Sequence, residues 1–310
     1  MIRPRWRVRR NSSSWARSTT SAVAIFGMMC SMARFTSYDG TELAYRIEGS
    51  GEPLICLAGG PGRASSYLGD LGGLSAHRQL VVLDNRGTGS SDSPEHPITY
   101  RRDFLVRDVE ALRAHLGLDV VDVLGHSAGA GIAMGYAQDF PQRIGKLVLL
   151  TPALRSVGLS PEQSDWDSFL AARSGEPWFA QVVGALAKDK AGDNSVENRV
   201  AASPMLYGTW SSRAQEHAAA ELQEWKYEVG LGYNAEGAFT PGVLRRALAD
   251  FSHPVLVYCA SADPISPVRR CAELVELFPN AQLIVHEGAG HYAWVDDPEW
   301  LVKQVATFLG

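Results

Sequence analysis

Cysteine is scarce in this chain: there are four in 310 residues, at Cys30, Cys56, Cys259 and Cys271. They form no Cys-x-x-Cys pair and have no metal-ligand spacing, which argues against a structural metal site. Cys56 and Cys259 sit inside apolar runs, so the thiols read as reduced core residues of a cytoplasmic protein. No apolar stretch reaches the roughly eighteen residues of a spanning helix, so stable membrane insertion is not expected. Acidic residues are missing from the first 34 positions, which carry seven arginines. With a net charge of -5 overall, the rest of the chain carries -12. Such an acidic body is a poor electrostatic host for nucleic acid. There is no Gly-Lys-Ser/Thr phosphate loop and no dinucleotide fingerprint, so no cofactor is expected and no metal. Internal repeats are also absent, and beyond the N-terminal arm there is no low-complexity tract. The oligomeric state has no signature in the sequence.

What remains is an ordinary globular composition, 45% hydrophobic and 20% charged, with material for a large core. Residues 1–33 stand apart: a basic segment, a Ser/Thr-rich stretch and a short apolar run at 22–29. One reading is a non-structural arm or upstream extension, with translation starting at Met28, Met29 or Met32. The other is a signal peptide cut after Ser31-Met32-Ala33, which would mean export. Ordered sequence is expected near Phe35, opening with a hairpin whose turn is Tyr38-Asp39-Gly40-Thr41.

Continuous apolar runs follow at Pro53-Leu54-Ile55-Cys56-Leu57-Ala58, Leu80-Val81-Val82-Leu83-Asp84, Val120-Val121-Asp122-Val123-Leu124, Lys146-Leu147-Val148-Leu149-Leu150, Pro254-Val255-Leu256-Val257-Tyr258-Cys259 and Ala281-Gln282-Leu283-Ile284-Val285. Strands of this kind are buried on both faces, as in a parallel sheet. Helical patterns lie between them, at 101–116, 127–140, 268–278 and 298–309. The fold class is therefore α/β, with a doubly wound, mainly parallel sheet. Residues 153–250 break the rhythm: they are helix-like and hold no buried strand. They read as a helical cap inserted between the core segments 34–152 and 251–310.

The chemistry concentrates at Gly125-His126-Ser127-Ala128-Gly129. This matches Gly-x-Ser-x-Gly with an apolar strand before it and a helix after it, the context of a nucleophile elbow. Ser127 needs a base, because an unassisted hydroxyl is a weak nucleophile at neutral pH. Of eight histidines, His291 lies in a Gly-rich loop after the last strand and is the expected general base. Asp263, at the end of a strand and before Pro264, is the expected acid; Asp296 and Asp297 are alternatives that fit less well, since they follow the histidine. Oxyanion donors are expected from the backbone of Ala128 and from Gly60, in Gly59-Gly60-Pro61-Gly62. The run Asp84-Asn85-Arg86-Gly87-Thr88-Gly89-Ser90-Ser91 reads as a structural loop near the floor of the site.

These motifs together resemble the α/β-hydrolase superfamily, and within it the proline iminopeptidase-like hydrolases, over about residues 35–310. The resemblance implies the α/β-hydrolase fold, a Ser127–His291–Asp263 triad and a helical cap, in which Tyr207-Gly208-Thr209-Trp210 looks like a family segment. It departs from true iminopeptidases at Ala128, where they usually carry Trp, and at Ala58, where the oxyanion motif usually opens with His. The expected partner is a small molecule: a small to medium acyl compound cleaved at an ester or amide. Trp178, Tyr207, Trp210 and Trp225 are candidates for lining its pocket. Among the cap carboxylates Glu216, Glu221, Glu224 and Glu228, the last three have the spacing of a solvated helix face. The resemblance offers them another role, holding a substrate ammonium, so prolyl aminopeptidase activity stays open as an alternative. A ligand-binding protein without catalysis on the same scaffold is the alternative of a different class.

Overall fold

The computed structural model describes residues 31–310. The arm and signal-peptide readings and Cys30 therefore lie outside the described residues, except at the arm's last three positions. There the boundary is corrected. Strand β1, Ser31–Thr36, starts before residue 34 and pairs antiparallel with β2, Glu42–Glu48, from Ser31 opposite Ile47 onward. The sequence hid this start because β1 is an edge strand with a polar outer side. Met32 is exposed, and Arg34 reaches out to Asp92 at 2.6 Å.

The remaining strands are β3, Pro53–Leu57; β4, Gln79–Leu83; β5, Val121–His126; β6, Ile144–Leu150; β7, Val255–Ala260; and β8, Ala281–His286. They form one eight-stranded sheet in the order β1-β2-β4-β3-β5-β6-β7-β8. β2 runs antiparallel to β1 and to β4, and every other pairing is parallel. Alternate residues of each central strand enter opposite layers. Ile55, Leu57, Val123, Leu147, Leu149 and Val257 face one core, and Leu54, Cys56, Leu124, Val148, Leu150 and Leu256 face the other. Both sets are buried, which is why these strands read as unbroken apolar runs.

Helices α1, Arg102–His115, and α2, Ala128–Asp139, cover the first face. Between β6 and β7 come α3, Gln163–Ala172; α4, Phe179–Lys190; α5, Val196–Ala202; α6, Ser212–Ala219; α7, Glu221–Glu224; α8, Tyr227–Tyr233; and α9, Pro241–Ala249. No strand interrupts them. The separately packed part of this insertion is narrower than 153–250. Leu154, Val157 and Leu159 before it, and Leu244 and Leu248 of α9 after it, are buried in the first core layer. What packs apart is a small cluster around Trp178, Val182 and Met205. Helices α10, Val268–Val275; α11, Ala293–Asp296; and α12, Pro298–Leu309, complete the chain.

The parallel topology sets up the site. Gly59 and Gly60 follow β3, Ser127 follows β5, Asp263 follows β7 and His291 follows β8, so all five lie beyond the carboxyl ends of parallel strands. In open α/β sheets that edge is where ligand sites form. The elbow depends on missing side chains. A Cβ on Gly125 would stand 2.5 Å from the Gly129 carbonyl oxygen, and one on Gly129 would stand 2.2 Å from the Leu57 carbonyl oxygen. Both obstacles are backbone and cannot swing away. Gly129→Ala is therefore expected to destabilise the fold by about 3 kcal/mol, at the upper end for overpacking. Urea denaturation checks this; a loss below about 1 kcal/mol would mean that the turn can make room for a methyl group.

Candidate active site

Ser127 sits at φ 53°, ψ -119°, a positive φ that a residue with a side chain rarely adopts. Such strain persists only where the surroundings enforce it. Here the Ser127 amide donates to the Leu150 carbonyl at 3.0 Å, and its own carbonyl accepts from Ala130 and Ala153, both at 3.0 Å. The turn is thus clamped to β6 on one side and to α2 on the other. Its side chain makes no hydrogen bond among the described residues.

The two other expected residues meet. His291 Nδ1 lies 2.8 Å from Asp263 Oδ2, with both side chains buried. Asp263 Oδ1 accepts the Ile265 amide at 2.8 Å, which fixes the carboxylate plane. The His291 ring is 4.8 Å from the ring of His126, the residue before Ser127, so His291 and the elbow are neighbours. A hydrogen bond between Ser127 and His291 is not formed; such contacts are commonly loose before substrate binds. The runner-up carboxylates are committed elsewhere. Asp296 accepts the amides of Gly208, Thr209 and Gly290 at 2.9, 3.2 and 2.9 Å. Asp297 caps α12 through the Trp300 amide at 3.0 Å.

The Gly-rich loop after β3 runs against the elbow. A Cβ on Gly59 would lie 2.6 Å from Ser127 Cβ and 3.2 Å from the Ala128 nitrogen. The Gly59 amide is occupied, donating to the Tyr67 hydroxyl at 2.6 Å. The Gly60 amide has no partner among the described residues. Ala128 opens α2, so its N–H is one of the four that helix geometry leaves unpaired. Ala128 thus leaves a free donor next to Ser127, at a helix N-terminus that favours negative charge, and Gly60 leaves one in the loop whose Gly59 packs against the elbow. Asp84, Asn85 and Arg86 support this floor. Asp84 accepts the Ser65 and Ser90 amides, Asn85 reaches the Ala58 carbonyl at 3.4 Å, and Arg86 pairs with Asp108 and Asp39.

Three of the four aromatic pocket candidates, Trp178, Tyr207 and Trp210, pack into the clusters between insertion and core. Trp178 is buried in the cluster of the insertion, under the Arg173 guanidinium at 5.0 Å. Tyr207 is wholly buried, with its hydroxyl 2.7 Å from His217 Nδ1. Trp210 packs on Tyr207 at 5.4 Å. Trp225 approaches the Gly-rich loop after β3: its ring would lie 3.6 Å from a Cβ on Gly60. It also lines a cleft of about 210 Å³ with Pro61, Arg199, Tyr227 and Leu231.

The cap carboxylates do not form a solvated helix face. Glu221 and Glu224 belong to α7 and Glu228 to α8, and Glu221 is buried. Arg63, itself 1% exposed, pairs with Glu224 at 2.7 Å and Glu221 at 3.8 Å, and Arg199 pairs with Glu221 at 2.8 Å. The sequence suggested exposure from spacing alone; a buried arginine 158 or more positions away reversed it. Tyr67, Thr151 and Arg63 are also site neighbours that the sequence did not single out. Their partners lie across the fold, so no local pattern marks them.

The profile of the alpha/beta hydrolase fold family matches residues 52–298. The chain belongs to this family, and the fold and relatives together make it a hydrolase. It is 26% identical to the AB hydrolase superfamily protein YclE of Bacillus subtilis, over 84% of this chain and 92% of that one. It is also 26% identical to a proline iminopeptidase of Clostridioides difficile, over 89% of this chain and 97% of that one. Among solved structures it is similar to an esterase from Exiguobacterium antarcticum, with a TM-score of 0.69 and 19% identity over 89% of this chain and 98% of that one, a likeness of fold. Among the described residues no helix is long and apolar enough to cross a membrane.

Electrostatics at the joint between cap and core give a pH signature. His217 on α6 donates from Nε2 to the Tyr67 carbonyl at 2.9 Å. Burial, and then the nearby Arg63 charge, lower its pKa from 6.5 to about 4. The unfolded chain therefore takes up the proton first. His217's contribution to stability is complete above about pH 6.5 and is lost as pH falls toward 4, by about 3 kcal/mol in all. His126 is shifted in the same direction. His217→Gln keeps a donor and removes the titration. Denaturation at pH 7 and pH 4.5 should show a smaller acid loss in the variant; equal losses would contradict this account.

Proposed function

We propose that this hydrolase is a serine hydrolase that cleaves an ester or amide of a small to medium, largely apolar acyl compound through an acyl-enzyme on Ser127. The observation that carries the reading is the strained, clamped Ser127 turn, flanked by the unpaired Gly60 and Ala128 amides and lying beside the Asp263–His291 hydrogen bond. In this mechanism Ser127 Oγ attacks the substrate carbonyl while His291 Nε2 takes its proton. Asp263 accepts the Nδ1–H, holding the tautomer and stabilising the imidazolium. The oxyanion receives the Gly60 and Ala128 N–H groups. Collapse expels the leaving group, which takes the proton from His291. Water, activated by the same imidazole, then frees the acid and restores Ser127.

Ester or simple acyl substrates rank above aminoacyl ones. Relatives named proline iminopeptidase favour the second reading. Against it, Glu221 and Glu224 are already neutralised by Arg63 and Arg199, so neither is free to receive a substrate ammonium.

Ser127→Ala should lower kcat on a p-nitrophenyl ester by about 10⁶ and abolish labelling by a fluorophosphonate, which also separates catalysis from mere ligand binding. Retention of a tenth of the activity would overturn the nucleophile. Asp263→Asn should cost about 10⁴ in kcat, because the wrong tautomer is held. Asp296→Asn should act on stability rather than turnover; the reverse pattern would move the acid to Asp296. A p-nitrophenyl butyrate should give a higher kcat/KM than a prolyl arylamide, and the opposite order would favour the aminopeptidase.

A further inference from the structure

Beneath the elbow, buried side chains connect the three parts of the site to one another. The Gly59 N–H can only donate, so the Tyr67 oxygen is its acceptor, at 2.6 Å. The Tyr67 proton is then available to His126 Nδ1, 2.7 Å away. With Nδ1 accepting, the neutral ring carries its proton on Nε2, which lies 3.1 Å from the His291 carbonyl oxygen. Thr151 Oγ1 donates to that same carbonyl at 2.9 Å. One assignment of protons satisfies every contact. Burial, and then the His291 charge, keep His126 well below the ordinary imidazole range, so the neutral form this assignment needs is the resting one. Tyr67 is in turn held from the cap, where His217 Nε2 donates to its carbonyl at 2.9 Å.

We infer that Tyr67 and His126 are positioning residues that set the register of the oxyanion loop against the elbow and the base. The inference rests on the reading of Ser127 and His291 given above. The chain of hydrogen bonds starts at an amide of the oxyanion loop, passes through the residue before the nucleophile and ends on the main chain that carries the base. It is also selective. By engaging the Gly59 N–H, Tyr67 turns that group away and leaves the next amide, Gly60, as the donor from this loop. Neither side chain touches substrate. Their effect is on where Gly60 and His291 stand, and an error of about 1 Å in such a position can cost about 10² in rate.

Tyr67→Phe removes one oxygen and leaves the ring's packing on Trp294 and Tyr292 in place. It should lower kcat on a p-nitrophenyl ester by about 10- to 100-fold with KM changed less than threefold, and slow fluorophosphonate labelling by a similar factor. His126→Leu should behave alike. His126→Gln, whose amide nitrogen can stand where Nε2 stood, should recover most of the rate. The double variant Tyr67→Phe/His126→Leu should be no slower than the worse single one, since both cut the same chain. If Tyr67→Phe folds with wild-type kcat and labelling rate, the inference is overturned. It is equally overturned if His126→Gln is as slow as His126→Leu, or if the double variant multiplies the two losses. Should His126→Leu fail to fold, Tyr67→Phe and His126→Gln decide the matter. Failure of the underlying reading looks different: Ser127→Ala would then keep its activity whatever the Tyr67 and His126 variants do.

Discussion

The structure turns on the approach of three backbones at the carboxyl edge of the sheet. The end of β3, the elbow after β5 and the first turn of α2 come so close that a Cβ on Gly59, Gly125 or Gly129 would fall within 2.6 Å of a neighbouring atom. Glycine at these positions removes the steric bar, and the rest follows from it. Ser127 can be held at a positive φ, and the loop after β3 can pack against the Ser127-Ala128 turn. The strain is borne by hydrogen bonds to the end of β6 and the start of α2, where both elements are buried. A local conformation that costs about 1–3 kcal/mol is thereby carried by the global fold.

The insertion between β6 and β7 is bound into this edge as much as it covers it. The His291 amide donates to the Leu206 carbonyl, and Asp296 collects amides from Gly208, Thr209 and Gly290. The loop that carries the proposed base is therefore half built by the cap. Arg63 does the same on the other side, joining the oxyanion loop to Glu224, Glu221 and the His217 carbonyl. A buried guanidinium left without its carboxylates costs about 3–5 kcal/mol, so the pairing resists opening. The same pairing neutralises the charge of both carboxylates.

The sequence by itself determined the sheet and the elbow. Unbroken apolar runs such as Leu80-Val81-Val82-Leu83 can only be buried on both faces, and Gly-x-Ser-x-Gly between strand and helix leaves one tight turn available. It also placed Asp263 and His291 at strand ends, because chain order and the parallel topology bring those loops to one edge. Tertiary structure alone decided whatever depends on partners far apart in the chain. Edge strand β1 began earlier than its composition suggested, since its ladder with β2 runs on past the core-facing Phe35 and Ala33 to Ser31. Glu221 and Glu224 became buried and paired through Arg63, and Trp178, Tyr207 and Trp210 became packing rather than pocket. Tyr67 came to lie on His126. Burial and charge neutralisation are properties of position in space, and helical spacing or residue type carries no information about which distant side chain will occupy the other end of the bond.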